Sequence, residues 1–150
     1  MGIELKPEEI DDFLHRSPTV ILCVARDGKP PLPLPMWFGW VEGQIVMTTN
    51  MGSKKMMALR NHPEVSCLVE SGEEYFTLKA VLVMGHCEII EDQEEARHWQ
   101  EVIFETKPIY RRLFPEKLPS HLERFYQLPR AVLRVTPTSI TSWDFAKVNR

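Results

Sequence analysis

The residues best suited to hold an anion run Thr48-Thr49-Asn50-Met51-Gly52-Ser53-Lys54-Lys55. Two hydroxyl residues close an apolar segment, a glycine-containing loop follows, and Ser53 is a good helix N-cap. The first turn of a helix offers unpaired N–H groups and the positive end of the dipole, which suits phosphate. Lysines are disfavoured at that end because the dipole repels them. Lys54 and Lys55 are therefore locally costly unless an anion binds, and the chemistry indicated is phosphate anchoring. The competing reading is an exposed basic turn with an ordinary cap. A second group is aromatic: Trp37, Phe38 and Trp40. On a strand Phe38 and Trp40 share one face and Trp37 takes the other. Such a strand is expected to be covered twice, by the core and by a ligand ring or a second subunit. Trp143 invites the same two readings.

Other chemistries find no support. The five histidines form no H-E-x-x-H and no zinc spacing with cysteine, so no metal site is expected. His86, next to Gly85, reads as a partly buried strand residue. There is no G-x-S-x-G nucleophile, no G-x-G-x-x-G and no Walker sequence. Glu91, Asp92, Glu94 and Glu95 read as a solvent-facing helix start. Cys23, Cys67 and Cys87 sit in apolar runs without a C-x-x-C, which predicts buried thiols and a reducing cytoplasm. A net charge of -3 argues against nucleic acid. The longest apolar stretch, near Ala80–Met84, is too short for a bilayer, and Met1 to Glu9 shows no signal peptide. The expectation is a cytoplasmic protein without a membrane partner.

The elements that must position the candidate residues can be read from punctuation and periodicity. With 150 residues, 43% of them hydrophobic, one domain spanning 1–150 is expected. Pro7, Glu8 and Glu9 open a helix with Ile10, Phe13 and Leu14 on one face, ended by Pro18. Thr19 to Arg26 predicts a strand and Asp27-Gly28 a hairpin turn. Pro30, Pro31, Pro33 and Pro35 predict an extended edge approach, then a strand over Met36–Val41. Gln44–Thr49 follows as a strand, Ser53 to Arg60 as a helix, and Val65–Glu70 as a strand. Tyr75–Ile90 reads as one long strand with a bulge at Gly85. Asp92 caps a helix to about Thr106, and Pro108, Pro115 and Pro119 break the next segment into short helices. Arg130–Val135 and Ile140–Phe145 read as two closing strands around a turn at Thr136–Ser139. Six or seven hairpin-linked strands favour a closed antiparallel barrel, mainly β with inserted helices.

In order and spacing, several of these segments form a recognisable series. They are Pro35-Met36-Trp37-Phe38, Gly43-Gln44-Ile45, Thr48-Thr49, Gly52-Ser53-Lys54-Lys55 with Leu59, Asn61 and Pro63, and Val83–Ile90. The series resembles the pyridoxamine 5'-phosphate oxidase-like flavin-binding split β-barrels over roughly residues 13 to 97. The resemblance implies an antiparallel split barrel of about six strands and a homodimer with cofactor sites at the subunit interface. It implies FMN, or alternatively the deazaflavin coenzyme, with its phosphate held by Thr48, Thr49, Ser53, Lys54 and Lys55. It also implies that Pro35, Met36, Trp37 and Phe38 lie along the ring. The implied activity is oxidoreduction of a small organic substrate; the alternative is a non-catalytic flavin or haem carrier. The segment Trp143-Asp144-Phe145-Ala146-Lys147-Val148-Asn149-Arg150 lacks the arginine pattern with which true pyridoxamine phosphate oxidases grip their substrate, which argues against the vitamin B6 reaction.

Overall fold

A computed structural model describes residues 2–149. Seven strands form one antiparallel sheet: β1 (Val20–Val24), β2 (Leu32–Met36), β3 (Gly39–Val41), β4 (Gln44–Asn50), β5 (Glu64–Ser71), β6 (Lys79–Ile90) and β7 (Arg130–Asp144). Their spatial order is β2-β1-β5-β6-β7-β4-β3. The two edge strands are thus consecutive in the chain, joined only through Trp37 and Phe38, and the sheet curls into a split barrel with its seam at that joint.

β2 sits at an edge because Pro33 and Pro35 have no N–H to give to a ladder on both sides. They pair with Cys23 and Ile21 of β1 and are exposed, while Leu32, Leu34 and Met36 turn half-buried toward the core. The strand expected over Met36–Val41 is therefore split: β2 ends at Met36, and β3 begins at Gly39. The two closing strands expected near the C-terminus are one. β7 runs fifteen residues without a turn. Its apparent interruption at Thr136–Ser139 is a bulge: Met84 pairs with Ser139 and Gly85 with Pro137, so Thr138 is the extra residue.

Gly85 is needed opposite that bulge. A Cβ there would lie 2.3 Å from the Thr136 carbonyl oxygen. Gly85→Ala is expected to cost about 1–3 kcal/mol, as overpacking against backbone does. A urea midpoint lower than the parent's at unchanged m-value would register this; an unchanged midpoint would contradict it.

Among the described residues there are five α-helices: α1 (Pro7–Arg16), α2 (Lys54–Asn61), α3 (Gln93–Thr106), α4 (Ile109–Leu113) and α5 (Ser120–Tyr126). Phe13 and Leu14 of α1 and Leu59 of α2 close the inner core, which is built on Val20, Leu22, Ile45, Met47, Leu133 and Val135. α3 and α4 cover the opposite sheet face, where Val46 and Val132 meet Ala96, Ile103 and Tyr110. Period two along β4 and β7 explains the division. Odd-numbered residues point inward, and the even-numbered Val46, Thr48, Asn50, Arg130 and Val132 share the outer face. Of the three thiols, Cys67 and Cys87 are buried and Cys23 is half-buried. No helix among the described residues is long and apolar enough to cross a membrane.

Candidate functional site: a cationic cleft beside the barrel seam

The seam needs partners for the backbone it leaves unpaired, since buried N–H and C=O groups cannot stay unbonded cheaply. Tyr110 supplies them. Its hydroxyl accepts the Phe38 N–H at 2.9 Å and faces two carbonyl oxygens, Pro18 at 2.7 Å and Phe38 at 3.0 Å. Burial raises that phenol well above its ordinary value, so it stays a neutral donor. Lys107 lies beside it, with no exposed surface. Its ammonium donates to the carbonyls of Leu14 (3.0 Å) and Ser17 (2.6 Å) at the end of α1, and sits 3.3 Å from the centre of the Phe38 ring. A cation there complements the negative end of the α1 dipole. The α3–α4 junction thereby fixes the joint between β2 and β3 from behind.

In front of that joint lies a cleft of about 470 Å3. One end is aromatic. Trp37 stacks on Tyr110 at 4.2 Å and 5°, and meets Phe104 and Phe114 edge-on, each at 6.3 Å. Pro35 and Met36 continue this wall. The other end is cationic. Arg130, across the ladder from Asn50, donates to Asn50 Oδ1 (3.0 Å) and to Thr48 Oγ1 (3.1 Å). Lys55 reaches back from the first turn of α2 to Thr49 Oγ1 at 2.8 Å. Burial, and then the charge of Arg130, hold the Lys55 amine below its ordinary value. Two cations share a partly desolvated corner, and Lys55 is bonded to a neutral hydroxyl, so an anion entering there would relieve their repulsion.

Of the residues expected at a site, Pro35, Met36, Trp37, Thr48, Thr49 and Lys55 come together on the wall of this cleft. Three do not. Phe38 turns into the inner core, under the Lys107 ammonium. Ser53 is the N-cap of α2, and its hydroxyl accepts the Met56 N–H. Lys54 is exposed to solvent, because one residue of helical rotation separates it from Lys55. Sequence reasoning missed Arg130, Phe104 and Phe114. Arg130 is eighty residues from Asn50 in the chain, and only the β4–β7 pairing joins them; the one local signal is a charge at the mouth of the apolar run Ala131-Val132-Leu133.

Residues 7–144 match the pyridoxamine 5'-phosphate oxidase family over nearly the whole chain. The chain belongs to that family. Among solved structures, a conserved hypothetical protein from Mycobacterium tuberculosis superposes with a TM-score of 0.80 at 25% identity, covering 100% of this chain and 92% of that one. A FAD-binding protein from Mesorhizobium loti superposes at 0.68, with 19% identity and 93% and 94% of the two chains covered. An F420 reductase superposes at 0.63, with 20% identity and 87% and 94% covered. These likenesses extend the family's split-barrel fold to this chain. No curated protein matches the sequence.

Proposed function

We propose that this protein is a flavin-dependent oxidoreductase that binds FMN, or alternatively the deazaflavin coenzyme, in the cleft beside the seam and acts on a small organic substrate. The observation that carries the reading is the joining of a two-cation corner to an aromatic wall within one cleft of about 470 Å3, a size ordinary for cofactor sites. A phosphate ester of a flat ring presents the complementary pair of chemistries. Membership in the family supports the same assignment.

The residues present fit such a cofactor. Lys55 and Arg130 would hold the phosphate, with Thr48 and Thr49 fixing the two cations through their hydroxyls. Pro35, Met36 and Trp37 would lie along the ring, and Phe104 and Phe114 would exclude water from its edge. Bound there, a flavin would supply the electron or hydride transfer, for which the protein contributes position and electrostatics. The reading includes a homodimer, which large exposed apolar side chains such as Met57, Tyr75 and Phe76 favour.

The purified protein is expected to show a flavin or deazaflavin absorbance band, or to acquire one on titration with FMN or the deazaflavin coenzyme. Bound ring should quench Trp37 fluorescence, and the quench should vanish in Trp37→Phe. Sedimentation should give twice the 17.5 kDa chain mass. Failure to bind either cofactor would refute the reading. Binding without turnover on quinone or enone substrates, given a reduced nicotinamide or reduced deazaflavin donor, would make the protein a carrier.

A further inference from the structure

The Lys107 ammonium is surrounded by electron-rich groups. The carbonyl oxygens of Leu14 and Ser17 lie at 3.0 Å and 2.6 Å, and the centre of the Phe38 ring lies at 3.3 Å. An ammonium carries three donors and no lone pair. Two of its N–H groups reach the carbonyl oxygens, and its charge rests on the negative face of the ring, which attracts a cation. A neutral amine has two donors and a lone pair. Whichever of the three neighbours that lone pair faced would repel it, so the neutral side chain cannot keep all three contacts.

These contacts stand behind the cleft wall. Phe38 directly follows Trp37 in the chain. Tyr110 clamps the same two segments, through the Pro18 carbonyl and through the N–H and carbonyl of Phe38, and its ring carries Trp37 in a stack at 4.2 Å. Trp37 is 36% exposed and lines the cleft, whereas Lys107 has no exposed surface. A change of charge behind the wall therefore reaches its front through one peptide and one stacked pair.

We propose that Lys107 is a positioning residue for this wall: its ammonium holds Phe38, and through it Trp37, in the arrangement that receives the ring, and loss of its proton releases them. The inference rests on the flavin-binding reading above and adds to it a proton-sensitive element that does not touch the cofactor. Burial brings the amine down to about 7, so the release falls in the neutral range. The titratable group that faces Lys107 from α4 is the Tyr110 phenol, its ring centre 5.5 Å away, and burial raises that phenol so that it stays neutral there. The segment from Leu32 to Val41, which carries Phe38, has no ionisable side chain. On the last turns of α1, Asp11 accepts the Trp40 indole N–H, Asp12 pairs with Arg16, and His15 is exposed. Glu105 on α3 and Arg111 and Arg112 on α4 are exposed as well. Rising pH should thus loosen the wall while it stabilises the fold as a whole, because the unfolded lysine keeps its proton to higher pH than the buried one. A lysine that served packing alone would leave the wall unmoved.

The test reads Trp37 in the protein before any cofactor is added. The chain has 4 tryptophans, so the Trp37 emission is taken as the difference between the parent and Trp37→Phe. Acrylamide quenching of that emission is expected to increase between about pH 6 and about pH 9, in one step at the titration of the buried amine, and the step should vanish in Lys107→Met. Riboflavin lacks the phosphate and so bypasses Lys55 and Arg130. Its affinity should fall roughly tenfold over the same range in the parent, the scale of one desolvated cation–π contact, and stay flat in Lys107→Met. A Trp37 signal that does not change with pH in the parent would overturn the proposal, whatever becomes of the Lys107 variant. A step that persists in Lys107→Met would overturn it as well. So would a Trp37 step accompanied by pH-independent riboflavin binding, because Lys107 would then act on the fold and not on the site. Failure of riboflavin, FMN and the deazaflavin coenzyme to bind, with the Trp37 step intact, would uphold the link from Lys107 to the wall and refute the flavin reading.

Discussion

Arg130→Ala is expected to weaken binding of the phosphate-bearing cofactor by about a hundredfold. A guanidinium can give a phosphate two parallel charge-assisted bonds, and hydrogen bonds to charged groups contribute about 1.5–3 kcal/mol each. At about 1.4 kcal/mol per factor of ten, loss of the better part of one such pair reaches that magnitude. The variant also releases the side chains of Thr48 and Asn50, which Arg130 now ties together. Lys55→Ala should cost roughly tenfold to a hundredfold by the same arithmetic, as a single point charge. Lys54→Ala is the informative control. Its neighbour folds onto Thr49 while Lys54 stays in solvent, so its effect should remain within about twofold. Calorimetric titration of FMN into the three variants reads all of this. Equal losses for Lys54→Ala and Lys55→Ala would place the anion outside the cleft, at the α2 N-terminus. Unchanged affinity in Arg130→Ala would remove the site altogether.

Lys107 is expected to make the protein more stable as pH rises from about 7 toward the ordinary lysine range. Burial pushes its amine down from 10.5 to about 7. The two α1 carbonyls and the Phe38 ring favour the ammonium and work against that push. Above the folded value the native amine is neutral while the unfolded one still binds a proton. The unfolded state then carries more protons, so stability increases with pH across that window and levels off once both states are neutral. The gain is at most a few kcal/mol, since each tenfold difference in proton affinity between the two states contributes about 1.4 kcal/mol. Lys107→Met keeps the bulk and removes the titration. Its unfolding free energy should rise less than the parent's between about pH 7.5 and about pH 9.5. At about pH 9 it should also be lower by about 1–3 kcal/mol, because the carbonyls of Leu14 and Ser17 lose their donor. Parallel curves for the two proteins in denaturant titrations at several pH values would show that Lys107 does not titrate in this window.

Arg130 and Lys107 were both illegible in the sequence, and the reason is distance along the chain. Local signals were sufficient wherever one segment decides its own conformation. Pro7 with Glu8 and Glu9 predicted α1, Ser53 and Asp92 were read as caps and each accepts the expected backbone N–H, and the prolines between 30 and 35 predicted an edge. Hydrophobic alternation and turn residues were enough for a mainly antiparallel, hairpin-linked sheet; the split barrel entered with the family resemblance, and the strand boundaries around Met36 and Thr136–Ser139 needed the structure. The ordered series from Pro35 to Lys55 carried the family.

What the chain could not reveal locally was decided by pairing across long separations. Lys107 falls between two expected helices; its amine is buried as the donor to the carbonyl oxygens of Leu14 and Ser17 at the end of α1, some ninety residues away. Tyr110 joins the backbone at Pro18 and Phe38 because the barrel is split there, and a split exists only once the sheet has curled. β7 reads as two strands because Pro137 and the polar residues around it resemble a turn; the partner strand β6 instead absorbs them as a bulge, with Gly85 making room. Residue types and spacing determined that this chain has a phosphate-seeking segment and an aromatic one. Only the β4–β7 register, which sets Arg130 beside Thr48 and Asn50, and the docking of α3 over that face, decided that the two meet in one cleft.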